Sequence, residues 1–429
     1  MKLLSKVLKG GLAIAMIGLL ALTSCNGGKT NASQVTLKVM GYGDNSNAEG
    51  QTFKRIVAEF EKANPGVKVD YELLYDEAYH QKAVARLAAG DAPDVAYMGA
   101  DARWGGSWQE AGQQIDNTPY FPSNIDASQI PDFFGTGVKP YLPLGGSNYC
   151  TVVGVNMELL NKIGGKLPTN YDEWKALAKL CKDNGIICLS THGADAWVWG
   201  SCVMSAIIAR TTGDAKWIEK AVKKEVKFTD QGFVNGLAVL STLVKDGILD
   251  PDSVLVDDGT GKSNFLNGKY LMYIDGQWGF GESNYPELSK NLKLIPIPAF
   301  PNEVGLPGAI AGAWQVGYGI TKQGASNPEV LEYAKKVVAA YNSNEEVIQR
   351  LADGGISAPI LKDFKLPDGM DPCIAEKATL GSFPSCYVID SYLQGAANDT
   401  LNAGMQDIVR GKIDAKTLAE NVQKQFDAQ

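Results

Sequence analysis

The stretch from Val35 to Met98 switches between two hydrophobic periods, and that switching constrains the fold more than any other feature. Val35-Thr-Leu-Lys-Val39 is apolar at every second position, as a half-buried strand requires. Gly41 to Asn47 is a run of turn formers. Phe53, Ile56, Val57 and Phe60 then repeat at i, i+3, i+4 and i+7, which puts them on one helical face. Asn64-Pro65-Gly66 stops that helix. Val67 to Leu73 reads as a second strand, Tyr79 to Ala89 as a second helix, and Asp94 to Met98 as a short third strand. The order strand–helix–strand–helix–strand predicts a parallel α/β sheet with right-handed crossovers. Ligands of such sheets sit outside the carboxyl ends of the strands. The loops 41–47, 74–77 and 98–108 are therefore expected on one rim.

A second unit follows. Tyr171 to Cys181 is an amphipathic helix and Ile186 to Ser190 a strand. Helices are expected at about 201–211, 215–222 and 230–245, a strand at Lys269–Ile274, and a closing segment from Leu292 to Pro298. Further helices fall near 327–341, 344–352, 390–409 and 415–426. With 45% hydrophobic residues among 429, the chain has ample material for a core. Its net charge of -8 makes phosphate neutralisation, and hence nucleic acid as a partner, a poor match. Two histidines, His80 and His192, exclude a multi-histidine metal site by count, and no metal or cofactor is expected.

The N-terminus reads as an export signal. Lys2, Lys6 and Lys9 precede an apolar run from Leu12 to Leu22, too short to span a bilayer. Leu22-Thr23-Ser24-Cys25 resembles a bacterial lipobox, which would remove residues 1–24 and lipidate Cys25. Residues 25–34 form a polar tether. Processing removes three lysines and no acid, so the mature charge is -11. The expected location is extracytoplasmic, held to the cell membrane only by the lipid. Outside the cytoplasm the remaining six cysteines are free to oxidise. Cys181 with Cys188, and Cys373 with Cys386, are close enough in sequence to pair locally, or all six are buried thiols.

Four ordered stretches carry a family resemblance: Phe60–Val69, Leu87-Ala-Ala-Gly-Asp-Ala-Pro-Asp-Val95, Val155–Leu160 with Leu167–Trp174, and Phe265–Met272 through Gly276-Gln-Trp278. Together they make the chain resemble a family 1 extracellular solute-binding protein, the carbohydrate-binding component of an ABC importer related to maltose-binding protein. The resemblance implies a two-lobed α/β fold with a ligand cleft between hinge-linked lobes. Crossings are expected near 147–151, 311–316 and 368–374. One lobe would take 35–148 plus 316–369, the other 150–311 plus 372–429. It also implies a monomer that delivers its carbohydrate to ABC-transporter permease subunits.

Eight tryptophans give the internal clue to a site. Trp174 and Trp217 lie on amphipathic helices and are expected in the core. Trp104, Trp108, Trp197, Trp199, Trp278 and Trp314 lie in segments bearing glycine or aspartate, expected between regular elements. Sugars present apolar C–H faces to aromatic rings and hydroxyl edges to polar side chains, which tryptophan with neighbouring acids and amides matches. Trp278 falls at the family's "G.W" position, and Trp197 with Asp195 at a place where the maltose-binding relative has a ring and an acid. Asp101-Ala-Arg103-Trp104 resembles that relative's "DRFGG" with an inserted alanine. Asp101 and Arg103 are candidate hydroxyl partners, or else a surface ion pair. Asp44 and Asn45 in the first rim loop are candidates too, although turn chemistry favours the same residues. Tyr149 and Trp314 lie near expected crossings, and Trp199 completes the candidate set.

Enzyme motifs are missing. Asp257 to Ser263 mimics the end of a P-loop, but Val256 stands where the first glycine is needed. There is no G-x-S-x-G elbow and no H-E-x-x-H. The cluster Asp250, Asp252, Asp257 and Asp258 matches no calcium-loop spacing and reads as solvated surface. No catalysis is expected. The alternatives are a polyamine or glycerophosphodiester receptor of the same fold, or a glycosidase built on a carboxylate pair.

Overall fold

The computed structural model describes residues 35–429 except 131–134, 145, 282–286, 314–315, 354 and 357–358. The signal segment, Cys25, the tether and Trp314 therefore lie outside the described residues. Its strands are β1 (Val35–Tyr42), β2 (Val67–Leu74), β3 (Val95–Gly99), β4 (Leu142–Pro143), β5 (Asn148–Tyr149), β6 (Val152–Asn156), β7 (Ile187–Ser190), β8 (Tyr270–Asp275), β9 (Leu292–Ile295), β10 (Ile310–Ala313), β11 (Val316–Ile320) and β12 (Ser385–Cys386). They form three sheets, ordered β2-β1-β3-β11-β4, β12-β10-β5 and β7-β8-β6-β9.

The first sheet follows from the alternating pattern. β1 pairs in parallel with β2 and with β3, and α1 (Ala48–Ala63) and α2 (Asp76–Ala88) make the crossovers. Asn47 starts α1 by accepting a hydrogen bond from the Gly50 amide at 2.9 Å. The predicted stripe of Phe53, Ile56, Val57 and Phe60 is buried against Leu37, Val39 and Val95. Each such side chain contributes roughly 1.5–3 kcal/mol by leaving water. One expectation fails here. Residues 102–108 of the expected rim loop belong instead to the helix α3 (Ala102–Glu110), because Asp101 caps it by accepting from the Trp104 amide at 2.8 Å. Trp108 consequently turns into the core, 1% exposed.

A separate core gathers Val153, Val155, Trp174, Trp199, Leu237, Met272, Ile274 and Leu401 behind the β7-β8-β6-β9 sheet. Trp174 and Trp217 are buried there, on the apolar faces of their helices. The small sheet lies between the two larger ones along the chain. β5 follows β4 of the first sheet and precedes β6, and β10 precedes β11. At their contact Gly312 has φ of 127°, and a Cβ there would sit 2.3 Å from the Asn148 carbonyl oxygen. No other residue allows this approach. The single helix expected over 390–409 is two, Ile389–Tyr392 and Gly395–Val409, because Leu393 and Gln394 adopt extended backbone.

The six described cysteines are all free and buried, so neither local pairing is present. Cys373 donates to the Phe280 carbonyl at 3.5 Å, while Cys386 sits in the other core and donates to Ile310 at 3.5 Å. Cys181 and Cys188 do lie side by side as thiols, their side chains hydrogen-bonded to each other.

Candidate functional site

Two clusters of functional side chains stand at the carboxyl ends of parallel strands, one on each large sheet. The first begins with Tyr42, the last residue of β1. Its ring stacks on Tyr97 of β3 at 4.7 Å and meets Trp104 of α3 edge-on at 5.2 Å. Tyr75, just beyond β2, lies 5.2 Å from Tyr42 and keeps 46% of its surface exposed. His80 packs 4.5 Å from Trp104, and burial pushes its pKa down to about 3, so it is neutral. Arg103 crosses the same edge, 3.8 Å from Asp76 and 6.0 Å from the Trp104 ring centre. The result is an aromatic wall with one guanidinium on its rim.

The second cluster comes from β7 and β8. Their parallel register sets Ser190 beside Tyr273. Two residues further on, His192 stands next to Asp275. His192 Nδ1 lies 2.9 Å from Asp195 Oδ2, and Nε2 lies 3.2 Å from Asp275 Oδ1. Burial alone would lower the imidazole pKa, but the Asp275 and Asp195 carboxylates outweigh it and hold the value near 10. Trp197 lies 5.6 Å from His192 and 6.2 Å from Trp278, the two indoles tilted by 40°. Gly276 lets the Trp278 ring lie over the backbone, since a Cβ there would be 2.2 Å from the indole. This wall is a tryptophan pair above a carboxylate–imidazole cluster.

Charges of the second cluster are felt at the first. The Tyr75 hydroxyl is shifted upward first by burial and then by the carboxylates of Asp76, Asp258 and Asp275. Asp258 and Asp275 belong to the second wall. Two surface grooves elsewhere, one lined by Arg55 and Glu346 and one by Lys38, Asp70 and Arg86, lack such aromatic pairs.

The residues singled out from the sequence divide accordingly. Trp278, Trp197 and Asp195 meet on the second wall, and Trp104 with Arg103 on the first. Asp44 is spent on its own turn, accepting from the amides of Ser46 at 2.7 Å and Asn47 at 3.0 Å. Asn45 accepts from Lys54. Tyr149 is buried in β5, its amide donating to Gln277. Two candidates are corrected. Trp199 is 0% exposed inside the core and donates to the Gly193 carbonyl at 2.9 Å, so it offers no face to a solute. Asp101 is 0% exposed beneath α3, and Arg103 pairs with Asp76 rather than with it. Tyr42, Tyr75, His192 and Asp275 were missed, although the rim loops already pointed to the ends of β1 and β2.

The family model of the bacterial extracellular solute-binding proteins matches residues 43–348, most of the chain. This chain belongs to that family. The solute-binding protein is 24% identical over 353 residues to the multiple sugar-binding protein of Streptococcus mutans serotype c, covering 76% of this chain and 78% of that one. A chitin oligosaccharide binding protein of solved structure superimposes with a TM-score of 0.79 at 21% identity, over 92% of this chain and 98% of that one. RafE in complex with raffinose gives 0.70 at 20% identity, over 92% and 99%. Maltose-bound MalE3 of T. maritima gives 0.68 at 18% identity, over the same shares. These likenesses assign the solute-binding protein the two-lobed α/β fold. No helix among its described residues is long and apolar enough to cross a membrane.

Proposed function

We propose that the protein is the extracytoplasmic receptor of an ABC importer and binds a mono- or oligosaccharide between the two walls. The observation that carries this reading is the Trp197–Trp278 pair beside Asp195, opposite Tyr42, Tyr75 and Trp104. Indole and phenol rings cover the C–H faces of a pyranose, while carboxylate, guanidinium and phenolic hydroxyl take its hydroxyl groups. The sugar-binding relatives support it. The lobes, 35–148 with 316–369 and 150–311 with 372–429, close about the crossings and offer the permease a compact complex. Cys25 carries the lipid that tethers a monomer to the membrane, and the protein turns nothing over.

A cationic solute such as a polyamine is the second reading, because Asp195, Asp258 and Asp275 gather on one wall. Calorimetric titration with a panel of mono- and oligosaccharides, a polyamine and a glycerophosphodiester separates the two. Saturable heat from a saccharide is expected. Heat from the polyamine or phosphodiester alone would reject the sugar reading. Product analysis after incubation with the bound saccharide checks that it is returned unchanged.

A further inference from the structure

We propose that His192, Asp258 and Asp275 form a zinc site at the carboxyl edge of the β7-β8-β6-β9 sheet. The three residues come from separate elements: the segment after β7, the first residue of the helix Asp258–Leu266, and the last residue of β8. One ligand atom from each lies within 4.8 Å of the other two. His192 and Asp275 are 2% and 0% exposed, and neither His192 Nε2 nor Asp275 Oδ2 has a hydrogen-bond partner.

The geometry around His192 suits a bound cation. Asp195 Oδ2 lies 2.9 Å from Nδ1 and takes its proton as a hydrogen bond, which leaves Nε2 directed at Asp275, its proton the one a metal ion would displace. That carboxylate-to-imidazole support on the far nitrogen is the usual outer shell of a metal-bound histidine. Nε2 and Asp275 Oδ1 are 3.2 Å apart. Two ligands bonded to one tetrahedral zinc at about 2.0–2.1 Å stand about 3.3 Å apart. Asp258 is half-buried and closes the third corner, with Lys262 at 2.9 Å offsetting part of the charge. One imidazole and two carboxylates with a fourth position open suit zinc. Calcium needs six to eight oxygens, more than this set offers.

The site does not depend on the sugar reading, because the metal alone tests it. Chelator-treated full chain is titrated calorimetrically with zinc chloride and, in a second series, with calcium chloride. One zinc per chain is expected, with a Kd in the micromolar range or below. Asp258→Asn should weaken zinc by at least about tenfold, and Asp195→Asn by about 10–100-fold through its hold on the imidazole. Cobalt in place of zinc should give the strong visible absorption of a four-coordinate ion, lost in His192→Gln. No stoichiometric zinc binding, binding of calcium instead of zinc, or zinc affinity unchanged in Asp258→Asn would overturn the site. Asp258 lies at the surface, so that variant decides the matter even if His192→Gln fails to fold.

Discussion

The two walls solve one physical problem in different ways. Each sets a fully buried carboxylate behind its aromatic surface, Asp101 on the first and Asp275 on the second. Asp275 has an imidazole 3.2 Å away. Asp101 has no cation at that distance, only the Trp104 amide and the Ser391 hydroxyl, and burial pushes its pKa up to about 7. Asp101 is therefore half neutralised near pH 7 and serves mainly as a helix cap. The second wall carries a carboxylate–imidazole pair behind its rings, and the first a capping carboxylate with no such cation beside it.

Trp199 holds up the second wall from behind, so Trp199→Ala should cost about 3–5 kcal/mol of stability in denaturant melts. If stability is kept and only solute affinity falls, Trp199 belongs to the surface after all. Asp101→Asn keeps the cap oxygen and removes the charge. The folded pKa of about 7 lies above the reference value of 3.8. The wild type is therefore at full advantage below pH 3.8 and loses stability as pH rises through 7. The variant should match it at pH 4 and exceed it by roughly 3 kcal/mol at pH 8. A pH-independent difference would mean that Asp101 has a charged partner.

Solute binding sharpens the same contrast. Gly276→Ala pushes a methyl into the Trp278 indole and should weaken saccharide binding by about 30-fold, or about 2 kcal/mol, with little change in melting. Arg103→Ala, on the rim of the first wall, should cost only about fivefold, or 1 kcal/mol. Calorimetry on both variants checks the order. A larger loss from Arg103→Ala would place the polar recognition on the first wall.

What the sequence reveals of this molecule follows from how local each signal is. The first sheet was legible because its periodicities are set residue by residue, from Val35 to Met98. Trp278 was legible because it sits just past a strand, and Trp197 because its segment with Asp195 resembles the maltose-binding relative. The register of β7 against β8 was not, and only that register brings His192 beside Asp275, 83 positions along. Trp199 and Trp108 looked like their exposed neighbours because nothing local announces the π-helical turn Trp199–Met204 or the Asp101 cap. Asp258 read as surface among four acids. Its nearness to His192 is a tertiary fact.

Intrinsic tryptophan fluorescence, titrated with the panel saccharides in the wild type and in Trp278→Ala, measures whether Trp278 holds the sugar. A saturable change with at least one saccharide is expected, with a loss of affinity on the order of 100-fold in the variant and its melting curve unchanged. A saccharide that binds both proteins equally well would contradict that role.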